Sequence, residues 1–502
     1  MSQNQHVAII DIGSNAVRLV VYNELNRVPI KVHTERDICG LGKGLLETGH
    51  LNPQGVKHAI DSLTRFSGIL KAMKIKNVRA VATAAMRDAT DGLRFMKRVK
   101  DKVGIQIEVI TGDDEAYYSA LGVIASHGQV TGVVGDFGGG SLELAAVKKG
   151  KIIEHVTLPL GALRILSKES RKERLDYIES HLKTTDLLKR YHGQNFYILG
   201  GAWRTLAKAH MYLEKYPIFI LDHYKISGRK AEEWADKLSR RSEKSLEKTA
   251  GIIKRRASDM PAGALVLGRV LHALKPKELV FTATGLREGL LYEQLSPALK
   301  RQDPLMASCV DIAQKTSRFS HGAELKALGK WMKPLFPEAD EQLNRVVEAA
   351  SYLSDFGWYE HEDYRAPHAF QRILRLPLYG LDHTTRAMLA LSAYVRYRGY
   401  LRQSKRDEGY ITEVTRDAQD ILTQKQIDQA VTVGLLLQLA YSLTAGALGL
   451  LKHTELKLTD RYVRLTLKTN TETLRGEIIQ SQLEIIAKRL KRKAAISKST
   501  TT

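Results

Sequence analysis

Cysteine is scarce: Cys39 and Cys309 are the only two in 502 residues. Their separation fits no metal-ligand spacing, so neither a disulfide framework nor a cysteine-bound zinc is expected, and a reducing compartment fits. Aromatic residues make up 7% of the chain and are not interleaved with its basic clusters, which argues against a base-stacking surface for nucleic acid. The motifs GxxxxGKS/T, HExxH and GxSxG are all missing, which removes the P-loop ATPases, the zincins and the serine-elbow hydrolases. Cys39–Gly44 reads CGLGKG, without the spacing of a dinucleotide turn. The opening MSQNQHVAIID has no basic stretch followed by an apolar one, so no secretory leader is expected. One uncharged run, Val433–Leu451, is long enough to cross a bilayer. It carries Gln438, Ser442, Thr444 and glycines 434, 446 and 449, and we expect a buried helix and turn rather than a membrane segment.

Positive charge is plentiful. Seventy-seven Lys and Arg against 55 Asp and Glu leave +22, a balance that favours a polyanionic partner and salt-sensitive binding. Clusters such as Lys254–Arg256 and Lys488–Lys493 read singly as solvated faces.

The most informative stretch is VVGDFGGGSLELAAV, Val133–Val147. An apolar strand meets Asp136, then Gly138, Gly139 and Gly140, then a second strand through Glu143. Glycines are poor strand material and make sense where bare backbone N–H groups must approach something closely, phosphate oxygens being the usual guest. VAIIDIGSNAVRLVVYN, Val7–Asn23, repeats the grammar. Aligning Asp11 with Asp136 sets Gly13 against Gly138, Leu19 against Leu144, and Arg18 against Glu143. This predicts an internal duplication: two lobes, each offering a phosphate-facing hairpin.

Strand-like and helical stretches alternate through residue 124 and again from 125 to 303, which predicts α/β architecture in both halves. Helical periodicity dominates beyond residue 303, and strand alternation returns in ELKLTDRYVRLTLK before a basic tail. The expected division is therefore 1–124, 125–303, 304–415 and 416–502.

Glycine loops bind but do not react. Hydrolysis of a phosphoanhydride needs a placed water, a base and positive charge around the phosphoryl oxygens. EVITGDDEAYYSALGV, Glu108–Val123, puts Asp113, Asp114 and Glu115 in the first turn of a helix, where acids also serve simply as caps. Arg87, just after a strand in VATAAMRDATDG, can grip phosphate with its planar fork or pair with Asp88.

Together these segments resemble the exopolyphosphatase/guanosine pentaphosphate phosphohydrolase family of the actin–sugar kinase–heat-shock ATPase superfamily. The matching motifs are DIGSNAVRL (Asp11–Leu19), VATAAMRDA (Val81–Ala89), TGDDEA (Thr111–Ala116), DFGGGSLE (Asp136–Glu143), LGGAWRTLA (Leu199–Ala207) and TGLREGLLY (Thr284–Tyr292). The resemblance implies two duplicated ribonuclease H-like lobes, an α-helical HD-like domain and a small α+β C-terminal domain. It implies Glu115 as general base, with Glu143 holding the water or a Mg²⁺ ion. Asp11 and Asp136 would also contact the metal, while Ser14, Asn15, Gly139, Gly140 and Ser141 would cradle the terminal phosphates and Arg87 would bind the chain nearby. Phe137 stands where the family commonly has isoleucine. In the HD-like segment, Ser354-Asp355 replaces the His-Asp pair, with His321 and His368 as candidate remnants, so a helical scaffold without metal chemistry is expected.

The implied activity is stepwise release of phosphate from inorganic polyphosphate. Hydrolysis of guanosine pentaphosphate and transfer of phosphate to ADP are alternatives. A cytoplasmic homodimer that binds no membrane is also implied. A sugar kinase on the same fold would need an adenosine pocket, and a non-catalytic polyphosphate binder could dispense with Glu115.

Overall fold

A computed structural model describes residues 6–252, 254, 257–319, 322–398, 413–468 and 472–498. The chain divides into two units, Met1–Gln302 and Asp303–Thr502.

The first unit is built on two sheets. β1 (Val7–Ile12), β2 (Ala16–Tyr22), β3 (Lys31–Ile38), β4 (Asn77–Ala82) and β5 (Ile107–Val109) form a five-stranded sheet in the order β3-β2-β1-β4-β5. β6 (Gly132–Phe137), β7 (Leu142–Lys148), β8 (Lys151–Leu158), β9 (Phe196–Leu199), β10 (Lys225–Ser227) and β11 (Glu278–Phe281) form a six-stranded one in the order β10-β11-β9-β6-β7-β8. Each begins with an antiparallel meander and continues through parallel neighbours reached by helical crossovers. Asp11 faces Arg18 across the first hairpin and Asp136 faces Glu143 across the second, in the same register. Gly13 N–H donates to Ala16 O at 3.0 Å and Gly138 N–H donates to Ser141 O at 3.0 Å, so the turns match as well. The predicted duplication is present down to its hydrogen bonds.

The crossover helix Pro53–Ala72 shows why these residues fold locally. Asn52 caps it by accepting from the backbone of Gln54 and Gly55, Pro53 occupies its first turn, and Ala59, Leu63, Phe66 and Leu70 bury one face on the first sheet. In the second lobe Trp203 is fully buried, donates to Gly263 O at 2.8 Å and stacks on Phe137 with ring centroids 5.3 Å apart. That stacking accounts for an aromatic residue at position 137.

The lobes exchange helices. Helix Gly112–His127 follows the last strand of the first sheet, yet Ala120, Val123 and Ile124 pack on Val134, Ala145 and Val147 of the second. Helix Leu286–Glu293 follows β11 and returns Leu290 and Leu291 to Val7, Ile9 and Val20 of the first. The two helices meet through glycine: a Cβ on Gly122 would lie 2.0 Å from Gly285 O, and one on Gly289 would lie 1.9 Å from Tyr118 O. The expected lobe boundary at residue 124 thus falls inside a helix.

The described residues of the second unit between Pro304 and Thr444 are mainly helical, and a three-stranded sheet of β12 (Thr454–Leu458), β13 (Tyr462–Leu467) and β14 (Lys493–Lys498) follows. Helix Gln424–Thr444 carries much of the long apolar run and is buried against helix His383–Arg398: Ser392 Oγ donates to Ala430 O at 2.9 Å, and Gly434 lets the backbones approach. No helix among the described residues is long and apolar enough to cross a membrane. Asp355 is buried and held by Arg318, whose Nη2 lies 2.8 Å from Oδ1 and whose backbone N–H donates to Oδ2. His368 faces Glu360 at 3.1 Å, and His321 lies outside the described residues.

Candidate active site

The two glycine turns open on one cleft of about 500 Å³ within the first unit. Asp11, Ser14 and Asn15 line it from the first hairpin, and Asp136, Gly139, Gly140 and Ser141 from the second. The hairpins face one another closely: a Cβ on Gly139 would lie 3.4 Å from the Ser14 Cβ. Gly140 is tighter, its absent Cβ 2.8 Å from Ala84, and Gly161 packs its own bare backbone on Gly140 and Ser141. The glycines therefore serve backbone packing as well as access to the cleft.

Glu115 lines the same cleft from the first turn of helix Gly112–His127. Capping falls to its neighbours: Thr111 Oγ1 accepts from Asp114 N–H at 3.0 Å, and Asp114 Oδ2 accepts from Thr111 N–H at 3.0 Å. Glu115 is left to Arg87, whose Nη1 donates to Oε2 at 3.1 Å. Burial pushes the Glu115 carboxyl up to about 7, with Asp136 and Asp11 adding to the rise and Arg87 opposing it.

Glu143 is 2% exposed, and neither of its oxygens accepts a hydrogen bond of ordinary geometry. Burial first, then Glu115 and Asp136, raise its pKa well above the usual carboxylate range, and nearby Ser141 offsets this only in part. Asp136 is also raised by burial, while a 2.7 Å hydrogen bond from Ser119 Oγ and the charge of Arg204 pull it back.

Cations share the cleft with these acids. Arg18, Arg36, Arg204, Lys208 and Arg287 line the cleft. Arg204 is braced by the carbonyls of Thr282 and Thr284 at 3.0 and 3.1 Å. Arg287 is 8% exposed, with Nε and Nη1 lacking hydrogen-bond partners and Nη1 lying 3.7 Å from Asp11. Burial and the charge of Arg287 drive Arg18 down to about 9. Behind them burial would raise Glu288, but Lys31, Arg287 and Tyr22 hold it at about 2. Such crowding of guanidinium groups favours an anion carrying several charges.

Sequence reasoning named the acids and the backbone cradle but not these cations. Arg18, Arg204 and Arg287 sit inside three of the quoted motifs, and their charge within otherwise apolar or glycine-rich segments was the available signal. Arg87 lines a cavity adjoining this cleft and meets the cleft at Glu115. Asp88 pairs with Arg164 instead.

Among the described residues no group of three or more His, Cys, Asp or Glu could hold a metal ion by itself. The donor chemistry nevertheless suits a small hard cation. The acids are carboxylates only, they repel one another, and Glu143 has two unsatisfied oxygens. Mg²⁺ commonly takes one or two such groups and completes its shell with water and substrate phosphate.

The chain is similar to known proteins over most of its length. Residues 20–298 match the model of the Ppx/GppA phosphatase family, and residues 311–497 match that of the exopolyphosphatase C-terminal domain. Retrograde regulation protein 2 of Saccharomyces cerevisiae is 25% identical over 453 residues, covering 81% of this chain and 74% of that protein. A guanosine-5'-triphosphate,3'-diphosphate pyrophosphatase of Vibrio vulnificus is 27% identical, covering 61% of this chain and 62% of its own. The crystal structure of the Aquifex aeolicus member of the Ppx/GppA family superposes on 58% of this chain and 99% of its own, with a TM-score of 0.50 at 28% identity. With paired actin-like lobes, two glycine turns and a buried acid on one cleft, and a family model spanning more than half its length, the chain belongs to the Ppx/GppA phosphatase family.

Proposed function

We propose that this protein is an exopolyphosphatase that hydrolyses the terminal phosphate of inorganic polyphosphate with Mg²⁺. The observation that carries the reading is what the cleft holds together: several arginines and a carboxyl whose pKa of about 7 suits a base working near neutrality.

The backbone N–H groups of the turns at Ser14–Asn15 and Gly139–Ser141 hold the terminal phosphate, with the hydroxyls of Ser14 and Ser141 beside them. Arg18, Arg204 and Arg287 hold the phosphates that follow. Glu115 accepts the proton of the attacking water, and the free oxygens of Glu143 orient that water. Asp11 and Asp136 are the residues that would hold Mg²⁺, with Glu143 nearby and water and substrate phosphate completing the shell. When bound, the ion offsets charge on the phosphoryl oxygens and the departing chain. The formal charge of +22 and the match of residues 311–497 to an exopolyphosphatase C-terminal domain support a long polyanion as substrate. The proposal includes a cytoplasmic homodimer, with the helical unit as a scaffold whose Asp355 is committed to Arg318.

Guanosine pentaphosphate is the second reading, favoured by the similarity to the Vibrio enzyme; ADP as phosphate acceptor would use the same cleft. Phosphate release from long-chain polyphosphate and from guanosine pentaphosphate, measured side by side with Mg²⁺, separates the first two. A preference for polyphosphate sustains the proposal, and a preference for the pentaphosphate replaces it with the second reading.

A further inference from the structure

Beside the main cleft lies a second cavity of about 330 Å³. At roughly 30 Å³ per water it has room for about ten waters, or for orthophosphate with its hydration. Ala84, Gly140 and Ser141 line both spaces. Gly140 and Ala84 meet in the partition, where a Cβ on Gly140 would lie 2.8 Å from the methyl of Ala84. Arg87 stands on the far side of it and Glu115 on the near side, joined by their 3.1 Å hydrogen bond. The far cavity also holds Arg164, whose Nε donates to Gly140 O at 3.0 Å, and Thr157, whose buried hydroxyl has no hydrogen-bond partner. It reaches the surface at Asp113, whose side chain is 73% exposed.

We propose that this second cavity is the exit for orthophosphate, which rests there on Arg87 and Arg164 before leaving. The inference builds on the hydrolase reading above. In the chemical step a bond forms between the water oxygen and the terminal phosphorus, the bridging P–O bond breaks with its electron pair going to the shortened chain, and the water proton passes to Glu115. A neutral Glu115 no longer offsets the charge of Arg87, and the guanidinium, still held by the Ile110 carbonyl, draws the new phosphate. Asp88 and Asp113 balance the two arginines in the cavity, so phosphate passes rather than accumulates. The shortened chain meanwhile stays on the arginines of the main cleft. Separate doors for product and chain allow one phosphate to leave without the polymer letting go.

The test compares polyphosphate cleavage in an acid-quenched first turnover with the appearance of free phosphate, followed by a fluorescent phosphate-binding reporter. Asp113→Lys adds a cation at the mouth, and Arg164→Gln removes one inside. The exit predicts that Asp113→Lys cleaves at the wild-type rate in the first turnover but frees phosphate about five- to tenfold more slowly, and that orthophosphate inhibits it more strongly by a similar factor. Arg164→Gln shifts phosphate inhibition the opposite way. Free phosphate that keeps pace with cleavage in both variants, with unchanged inhibition by phosphate, overturns the exit and leaves the hydrolase reading standing. A wild-type protein that cleaves neither polyphosphate nor guanosine pentaphosphate overturns both.

Discussion

Arg87 donates from Nη1 both to Glu115 Oε2 at 3.1 Å and to the carbonyl of Ile110 at 2.9 Å. The second bond fixes where the guanidinium sits, so Glu115 meets a positive charge whose place is set by the backbone. Burial and two neighbouring aspartates favour its proton, and Arg87 opposes them.

Removing the acid tests its role. Glu115→Gln keeps the shape and loses the base, so turnover should fall by about 10²–10⁴-fold while polyphosphate binding persists. Phosphate release and equilibrium binding measured on the same preparation check this. Full activity in the variant would refute the assignment.

The acid limb of the rate profile should follow the Arg87 pair. A base held at about 7 loses activity as pH drops below that value. Arg87→Met removes the charge that opposes protonation, so the acid limb of kcat/KM should move to higher pH. A limb that stays in place would separate the profile from Glu115.

Glu143 should weaken the fold that it serves. Its raised pKa means that the folded state favours the protonated acid: its favourable contribution is complete below the unfolded carboxylate value and is lost as pH rises through the folded one. Glu143→Gln should therefore raise Tm at pH 8, with the difference shrinking as pH falls toward 5, while phosphate release drops sharply. Thermal melts across pH read both the sign and the window.

Arg18 should act on affinity. It faces one aspartate, Asp11, but feels the charge of Arg287, Arg36 and Arg204, an excess of positive charge placed to meet substrate. Arg18→Gln should raise KM for polyphosphate about tenfold or more with a smaller change in kcat, and should flatten the dependence of KM on salt. Steady-state kinetics at two ionic strengths decide it.

Two glycine substitutions should differ in sign. Gly289→Ala drives a methyl to within 1.9 Å of Tyr118 O and should cost about 1–3 kcal/mol. Gly68, inside helix Pro53–Ala72 with nothing within 4 Å of its missing Cβ, should gain about 0.5–1 kcal/mol as alanine. Denaturant melts of both variants test whether the helix crossing is as tight as it looks.

Much of this could be read in the chain before any coordinates. Each hairpin announces itself locally, because strand, aspartate and glycine turn lie within about fifteen residues, and their alignment carries the register with it. Helix Gln424–Thr444 was legible for a similar reason: an uncharged run with scattered hydroxyls and glycines suits a protein interior better than lipid. What stayed hidden depends on contacts distant in sequence. Nothing near Arg87 shows that it lines an adjoining cavity, and nothing in the motif of Arg287 shows that two of its nitrogens end buried without partners. The exchange of helices escaped for the same reason, since Gly122 and Gly289 each look like an ordinary helical glycine until the other arrives.

The matched registers put Arg18 and Glu143 at one strand position, a guanidinium in one copy and a carboxyl group in the other. A symmetric pair of first halves would present two arginines there, and a symmetric pair of second halves two glutamates. Neither pairing offers a cation and a carboxylate together. Joining the halves in one chain frees each copy to change alone, so one hairpin carries a guanidinium at the position where the other carries a carboxyl group.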